Sequence, residues 1–366
     1  MPEKEPIFYN AFNIIREIGP VRFQKLRRYF SSMEQAWKAP LQSLEAAGLE
    51  ANIAGIVVAK RPQIDPENEM QELLAAEIEI LTPDSPFYPV LLKEIYNPPP
   101  MLYARGNPKI LAHEFMVAMV GTRKISTYGK QVAPLLAKEL ARAGVVVVSG
   151  LALGVDEAVH RATIEAGGLT VAVLGSGIDD QSIYPASNRQ LVKKIIETGG
   201  AVISELPLRS LPLKMHFPFR NRIISGMSLG TVVVEADLES GSLITAKLAL
   251  EQDRQVFAVP GSIFNQFSAG PNNLLKMGAK AVTCANDVLE ELNLKTVTSE
   301  LAAREILPET PTEAKILPLL SAEPIHIDKI ILETGLPAGD VSSALVMMEI
   351  KGKVRNLGAM QYVIAR

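Results

Sequence analysis

The spacing of apolar positions changes along the chain, and each change marks a new kind of element. From residue 1 to about 68, Phe8, Phe12 and Ile15, then Val21, Phe23, Leu26, Tyr29 and Phe30, recur at the three-to-four-residue interval of amphipathic helices. From 116 to about 294 the apolar residues form short β-branched runs at 116–120, 145–149, 170–174, 201–204, 231–235 and 256–259. Helix-length segments separate them, at 127–142, 156–166, 188–198, 220–227 and 243–252. Strands apolar on both faces, each followed by a helix, specify an α/β fold with a doubly wound, mostly parallel sheet.

The flanks differ. Residues 70–115 open like a helix, then give a short strand at 78–81 and a turn-rich run in which Pro98, Pro99 and Pro100 forbid helix. An extended entry into 101–103 follows, expected as a strand on the sheet's edge. Beyond 294, a polar linker leads to helical patterns at 313–320, 326–333 and 338–351 and an alternating pair at 353–356 and 361–365, the order of a winged helix. Basic and acidic residues balance over 313–366, and the third of these helices is small and apolar. Packing or protein contact therefore ranks ahead of duplex binding for this tail. The expected parts are a helical domain (1–68), a sheet domain (69–294), a linker (295–310) and a winged-helix-like domain (311–366).

Composition narrows the classes. The 366 residues are 48% hydrophobic, enough for a sizeable core, and 37 Lys and Arg against 40 Asp and Glu give a net charge of −3. Any polyanion site must then be a local patch. A single cysteine, Cys284, rules out an internal disulfide framework and fits a reducing compartment. The start, MPEKEPIFYN, lacks a signal-peptide pattern, and no apolar run reaches membrane-spanning length, so a soluble cytoplasmic protein without membrane contact is expected.

Ligands on doubly wound sheets sit beyond the carboxyl ends of the strands. The residues there are Gly121, Thr122 and Arg123; Ser149 and Gly150; Gly175, Ser176 and Gly177; Ser204 and Glu205; Glu235 leading to Ser240, Gly241 and Ser242; and Pro260, Gly261 and Ser262. A rim so rich in Gly, Ser and Thr implies backbone closely approached by phosphate and sugar. The run VAMVGTRKISTYG, 117–129, reads as strand, tight turn and helix, whose free amides suit an anion with Arg123 at the rim. Plain strand-to-helix punctuation is the competing reading.

Two further segments combine cations with special backbone or rings. KMHFPFRNRIISG, 214–226, places Lys214, Arg220 and Arg222 beside Phe217 and Phe219, with Asn221 between the arginines. Cations neutralise phosphates while an aromatic face stacks on an unpaired base. Alternatively both rings plug the core, although Pro218 disfavours a regular amphipathic helix. Ile18-Gly19-Pro20-Val21, ahead of Arg22, Lys25, Arg27 and Arg28, is similar to a helix-hairpin-helix turn, or else belongs to a packing domain with a solvated basic face.

Catalytic and cofactor motifs are thin. No G-x-x-x-x-G-K-[ST] occurs, GSGIDD lacks a third glycine, and Arg123 stands where a dinucleotide fold needs glycine. His113, His160, His216 and His326 have no metal-ligand spacing. Asp156 and His160, four apart, read as a helix cap with its hydrogen-bond partner before an acid/base pair. Glu205 and Glu235 are the only carboxylates placed for catalysis, and each can equally cap a helix or hold a basic loop. No cofactor, metal or catalytic set is expected.

The motifs YPVLLKEIYNPPPMLYARGN, VAMVGTRKISTYG, VVVSGLALGVDEAVHRATIEAGG, VAVLGSGIDDQSIYP, ISELP, HFPFRNRIISGMS, VVVEADLESGSLITAKLALEQDRQVFAVPGS and AGPNNLLKMGA, in this order, resemble the DNA-processing protein A family, DprA or Smf. The resemblance implies a Rossmann-like core that binds single-stranded DNA, forms a homodimer and loads RecA recombinase onto incoming DNA in natural transformation, without catalysis. It places the family's G-[ST]-R motif on Gly121, Thr122 and Arg123. Arg123 and Lys214 would contact phosphate, Phe217 would stack a base, and Arg220 and Arg222 would shape a basic pocket. Asn221, Ser149, Gly150, Gly241 and Ser242 complete the expected DNA-binding set. Four such cations on phosphates would give a log–log salt slope of about −3. Pro134 inside a helix and Leu153 at an often basic position depart from the family pattern. The competing function is a hydrolase of nucleotide-derived small molecules, built on Glu235 with the Ser240–Thr245 loop.

Overall fold

The computed structural model describes residues 5–294, 308, 310–321, 324–351, 353–358 and 360–364. The expected linker at 295–310 lies outside these apart from 308 and 310. Nine strands build one sheet: β1 (Ile78–Leu81), β2 (Leu102–Gly106), β3 (Met116–Val120), β4 (Val146–Ser149), β5 (Thr170–Leu174), β6 (Ala201–Ser204), β7 (Gly230–Val233), β8 (Gln255–Ala258) and β9 (Lys280–Ala281). Their order is β1-β2-β6-β5-β4-β3-β7-β8-β9, with β2 antiparallel to both of its neighbours, β1 and β6, and every other pair parallel.

Every residue of β3 to β7 is buried, which is why these strands read as unbroken apolar runs. Strands are added on one side of β3 as far as β6, and on the other side from β7 onward. That reversal puts a topological switch point between β3 and β7, where such sheets open a crevice. The extended segment after Pro100 is β2, but it is not the edge: β1 pairs outside it, Ile78 opposite Arg105.

Helices α1 (Glu5–Ile14), α2 (Pro20–Tyr29), α3 (Met33–Lys38), α4 (Leu41–Ala46), α5 (Ala51–Lys60) and α6 (Pro66–Ala75) precede the sheet. Then follow α7 (Thr127–Arg142), α8 (Val155–Glu165), α9 (Arg189–Glu197), α10 (His216–Gly226), α11 (Gly241–Glu251), α12 (Ala269–Lys276) and α13 (Ala285–Glu291). Helix α10 starts four residues before the expected 220, with Pro218 in its first turn. A proline costs little there, because first-turn amides have no intrahelical acceptor. Pro134 lies within α7, which continues through it. The short α12 and β9 were not legible as elements.

The chain divides into two compact units, Met1–Val288 and Leu289–Arg366. In the first, Phe12, Phe23 and Trp37 of the helical region share a core with Tyr103, Leu174 and Val202 of the sheet. Hydrogen bonds fix this junction: Tyr103 Oη donates to the buried Asn10 Oδ1 at 2.6 Å, and Asn13 Nδ2 donates to the Glu205 carbonyl at 2.9 Å.

In the second unit, α14 (Pro311–Ile316), α15 (Ile327–Thr334) and α16 (Ala338–Ile350) pack with a sheet of order β10-β12-β11, made of Ile325–His326, Gln361–Ile364 and Val354–Gly358. This is a winged-helix domain around Ile316, Ile330, Leu345 and Met348. Lys351 and Lys353 reach the buried Glu313 carboxylate at 3.3 and 2.8 Å. Among the described residues, no single helix is long and apolar enough to cross a membrane.

Candidate functional site

At the switch point the chain leaves β3 through Gly121, Thr122, Arg123 and Lys124. A Cβ on Gly121 would stand 2.5 Å from Val155 Cγ2 and 2.9 Å from the Glu235 carbonyl oxygen, so only glycine lets the turn pass. Thr122 is buried: its amide donates to the Glu235 carbonyl at 2.7 Å, and its Oγ1 accepts the Lys124 amide at 3.1 Å. With the turn pinned from inside, Arg123 and Lys124 are exposed and form no ion pair among the described residues.

The expected anion cradle of turn amides is already filled. Glu235 is fully buried, accepts the Ser126 amide at 3.0 Å and takes the Ser126 hydroxyl proton in a second, short hydrogen bond. Ser126 Oγ in turn accepts the Gly129 amide at 3.2 Å, capping α7. The protein's own carboxylate occupies the positive end of this helix, where a phosphate was expected. That leaves the side chains to meet an external anion. It also gives Glu235 the capping role.

The facing wall is the first turn of α10. Phe217 lies on Gly175: a Cβ there would be 2.9 Å from Phe217 Cδ1. The half-buried ring has Tyr184 at 5.9 Å between centroids, the Arg123 guanidinium at 5.1 Å and that of Arg220 at 5.9 Å.

Arg220 and Arg222 do not act as the free cations expected. Arg220 is 7% exposed, and its Nη1 donates to the Gly150 carbonyl at 2.7 Å and, by a shorter bond, to that of Val173. Its guanidinium and the Asp156 carboxylate each come within 2.8 Å of where a Cβ on Gly150 would stand. Burial holds the Arg220 pKa down to about 10 and raises that of Asp156, against the pull of Arg220. Arg222 donates through Nη2 to both Glu205 oxygens at 2.6 Å. Buried guanidinium groups require acceptors, and both find them inside the fold, although Arg222 Nη1 has no hydrogen-bond partner among the described residues.

Other expectations resolve similarly. His160 does not pair with Asp156: its Nδ1 donates at 2.7 Å to Thr170 Oγ1, whose own proton goes to the Val147 carbonyl. Ser149 is fully buried and donates to the Met119 carbonyl at 2.6 Å.

The crevice between these walls has a volume of about 470 Å³ and brings together Gly121, Thr122, Arg123, Phe217, Arg220, Asn221, Gly241 and Ser242. Ser149, Gly150, Lys214 and Arg222 lie outside its lining. Lys214 is exposed on the loop before α10. The α11 wall starts with Ser240, whose hydroxyl accepts the Ser242 amide at 3.4 Å, and carries Asp237 and Glu239. The crevice is thus polarised, with Arg123 and Lys124 on the turn after β3 and Asp237 and Glu239 on the segment before α11. Lys124 and Asp237 stand at strand ends that the sequence marks, whereas Glu239, six residues beyond β7, escaped sequence reasoning.

These features define a Rossmann-like α/β protein with a polarised crevice at its switch point, carrying Arg123, Lys124 and the Phe217 ring, and a winged-helix unit. The family model for DNA recombination-mediator protein A matches residues 79–293, and that for the DprA winged helix domain matches 300–360. Protein Smf of Synechocystis is 34% identical over 401 aligned positions, covering 99% of both chains. The DNA processing protein DprA of Bacillus subtilis is 48% identical over 210 positions, 57% of this chain and 70% of that one. Among solved structures, DprA from Streptococcus pneumoniae superposes with a TM-score of 0.67 at 35% identity, covering 78% of this chain and 97% of that one. A Helicobacter pylori DprA, whose structure is described for its single-stranded DNA binding mode, gives a TM-score of 0.54 at 31% identity, covering 60% and 97%. The chain belongs to the DNA recombination-mediator protein A family, and with it to the proteins of DNA processing.

Proposed function

We propose that this chain is a single-stranded DNA-binding recombination mediator that holds the strand in the switch-point crevice. The observation that carries the reading is the accessible Phe217 ring with the Arg123 guanidinium 5.1 Å away. A base can reach such a ring only when it is unpaired, whereas a duplex hides its base faces. Phe217 stacks a base, Arg123, Lys124 and Lys214 meet phosphates, and the bases lie toward Asn221, Gly241 and Ser242. Arg220 supports Phe217 from below, and Arg222 acts at a distance through Glu205. Ser149 and Gly150 hold the floor. The Helicobacter pylori relative's single-stranded DNA binding supports this assignment.

In the same reading, resting on the family resemblance, the protein works without catalysis as a cytoplasmic homodimer. It protects incoming DNA and loads RecA in natural transformation, with residues 1–68, 69–294 and 311–366 as its modules. Competition between single- and double-stranded oligonucleotides of equal length tests the central part. The single strand should bind at least ten-fold more tightly at physiological salt, and equal affinity would refute it.

A further inference from the structure

Helix α10 carries a second cleft on its other side. About 670 Å³ of space lies between the start of α2 and α10, lined by Gly19, Arg16, Lys25, Met215, Phe219 and Arg222 among others. Residues two apart on a helix point about 200° away from each other. Accordingly Phe217 lines the switch-point crevice while Phe219 lines this second cleft, and Arg220 lines both. The two spaces therefore adjoin across the first turn of α10.

The second cleft, like the first, sets an aromatic ring beside cations, within a more apolar lining. Phe219 and Met215, which both line this cleft, are each 63% exposed. Its acids, Glu50 and Glu205, are already paired with Arg22 at 2.8 Å and Arg222 at 2.6 Å. Arg16 is exposed without an ion pair among the described residues, and Lys25 is bound only through a 2.7 Å hydrogen bond to the Gly48 carbonyl. The surplus charge is positive and stands beside an open aromatic face.

We propose that this cleft is a second nucleotide subsite, into which the strand bound at Phe217 continues over Pro218. The next bases stack on Phe219, and the phosphates beyond meet Arg16 and Lys25. The inference rests on the single-strand reading of the switch-point crevice. An acidic protein segment would also suit the charge, but the continuity of the two clefts at Arg220 favours one polyanion running through both.

The test uses the full chain and oligothymidylates of about 5 and about 15 nucleotides, within the range of known single-strand sites. Phe219→Ala should weaken binding of the longer strand about five-fold or more and leave the shorter one unchanged, while Phe219→Trp retains parental affinity at both lengths. Arg16→Ala should flatten the log–log salt slope by about 0.7 for the longer strand only. Loss with Phe217→Ala at both lengths, together with no effect of Phe219→Ala at either, overturns the second subsite and leaves the crevice reading standing. Equal weakening by Phe219→Ala at both lengths also overturns it, by making Phe219 part of the first site. No effect of Phe217→Ala at either length overturns both.

Discussion

The Arg123 guanidinium lies 5.1 Å from the centre of the Phe217 ring, each coming from a different wall of the switch-point crevice. A cation on a ring open to water on one side is worth about 0.5–1 kcal/mol, less than a stacked base returns. An arriving base can therefore displace the guanidinium and free it for the adjacent phosphate.

In the proposed single-strand reading, that exchange makes Phe217 the energetic centre of binding. Phe217→Ala should cost about 1–3 kcal/mol in affinity for a single strand, with no change in sequence preference, as read by fluorescence anisotropy. Parental affinity in this variant would reduce the ring to a passive part of the wall.

Arg220 should matter for stability rather than for phosphate. Its carbonyl partners at Gly150 and Val173, and the buried Asp156, lose their cation in Arg220→Met. Leaving these buried acceptors without their donor costs about 1–3 kcal/mol, measurable by urea unfolding. An unchanged unfolding midpoint would show that Arg220 is not a structural support.

The buried His160 gives the fold an acid-sensitive term. Burial lowers its pKa to about 3, and Nε2 has no hydrogen-bond partner among the described residues. The folded-state pKa lies below the unfolded value of about 6.5, so this contribution to stability is complete above that pH. Between about 6.5 and 3 the unfolded chain binds the extra proton, and stability is lost as pH falls, at up to about 1.4 kcal/mol per unit. His160→Gln should show a correspondingly shallower acid-side decline in unfolding free energy. An identical pH profile would contradict the assignment.

The winged-helix unit should contribute little to strand binding, because Lys351 and Lys353 are engaged with Glu313. Deleting residues 296–366 should leave single-strand affinity within about three-fold of parent, since surface charge effects beyond the site are screened at physiological salt. Abolished binding would move the site to the tail.

The sheet was legible because β3 to β7 are buried on both faces and carry unbroken apolar runs. The start of α10 was not, since Pro218 reads as a breaker until its place in a first turn is known. The glycine after β3 and the arginine at the rim were visible as strand-end chemistry. The burial of Arg220 and Arg222 was invisible, because a run of cations does not reveal which of them meet carbonyls or a carboxylate from distant segments. Glu235 was ambiguous for the same reason: its partner, Ser126, is more than a hundred residues away in the chain.

The salt dependence of short-strand binding, compared between the parent and Arg123→Ala, tests the account most directly. With Arg220 and Arg222 committed inside the fold, Arg123, Lys124 and Lys214 remain, and a slope of −0.7 per contact gives about −2 instead of about −3. For an oligothymidylate of about 5 nucleotides, Arg123→Ala should bind more weakly and bring the slope to about −1.4. An Arg123→Ala protein with parental affinity and an unchanged slope would contradict the assignment of the crevice to single-stranded DNA.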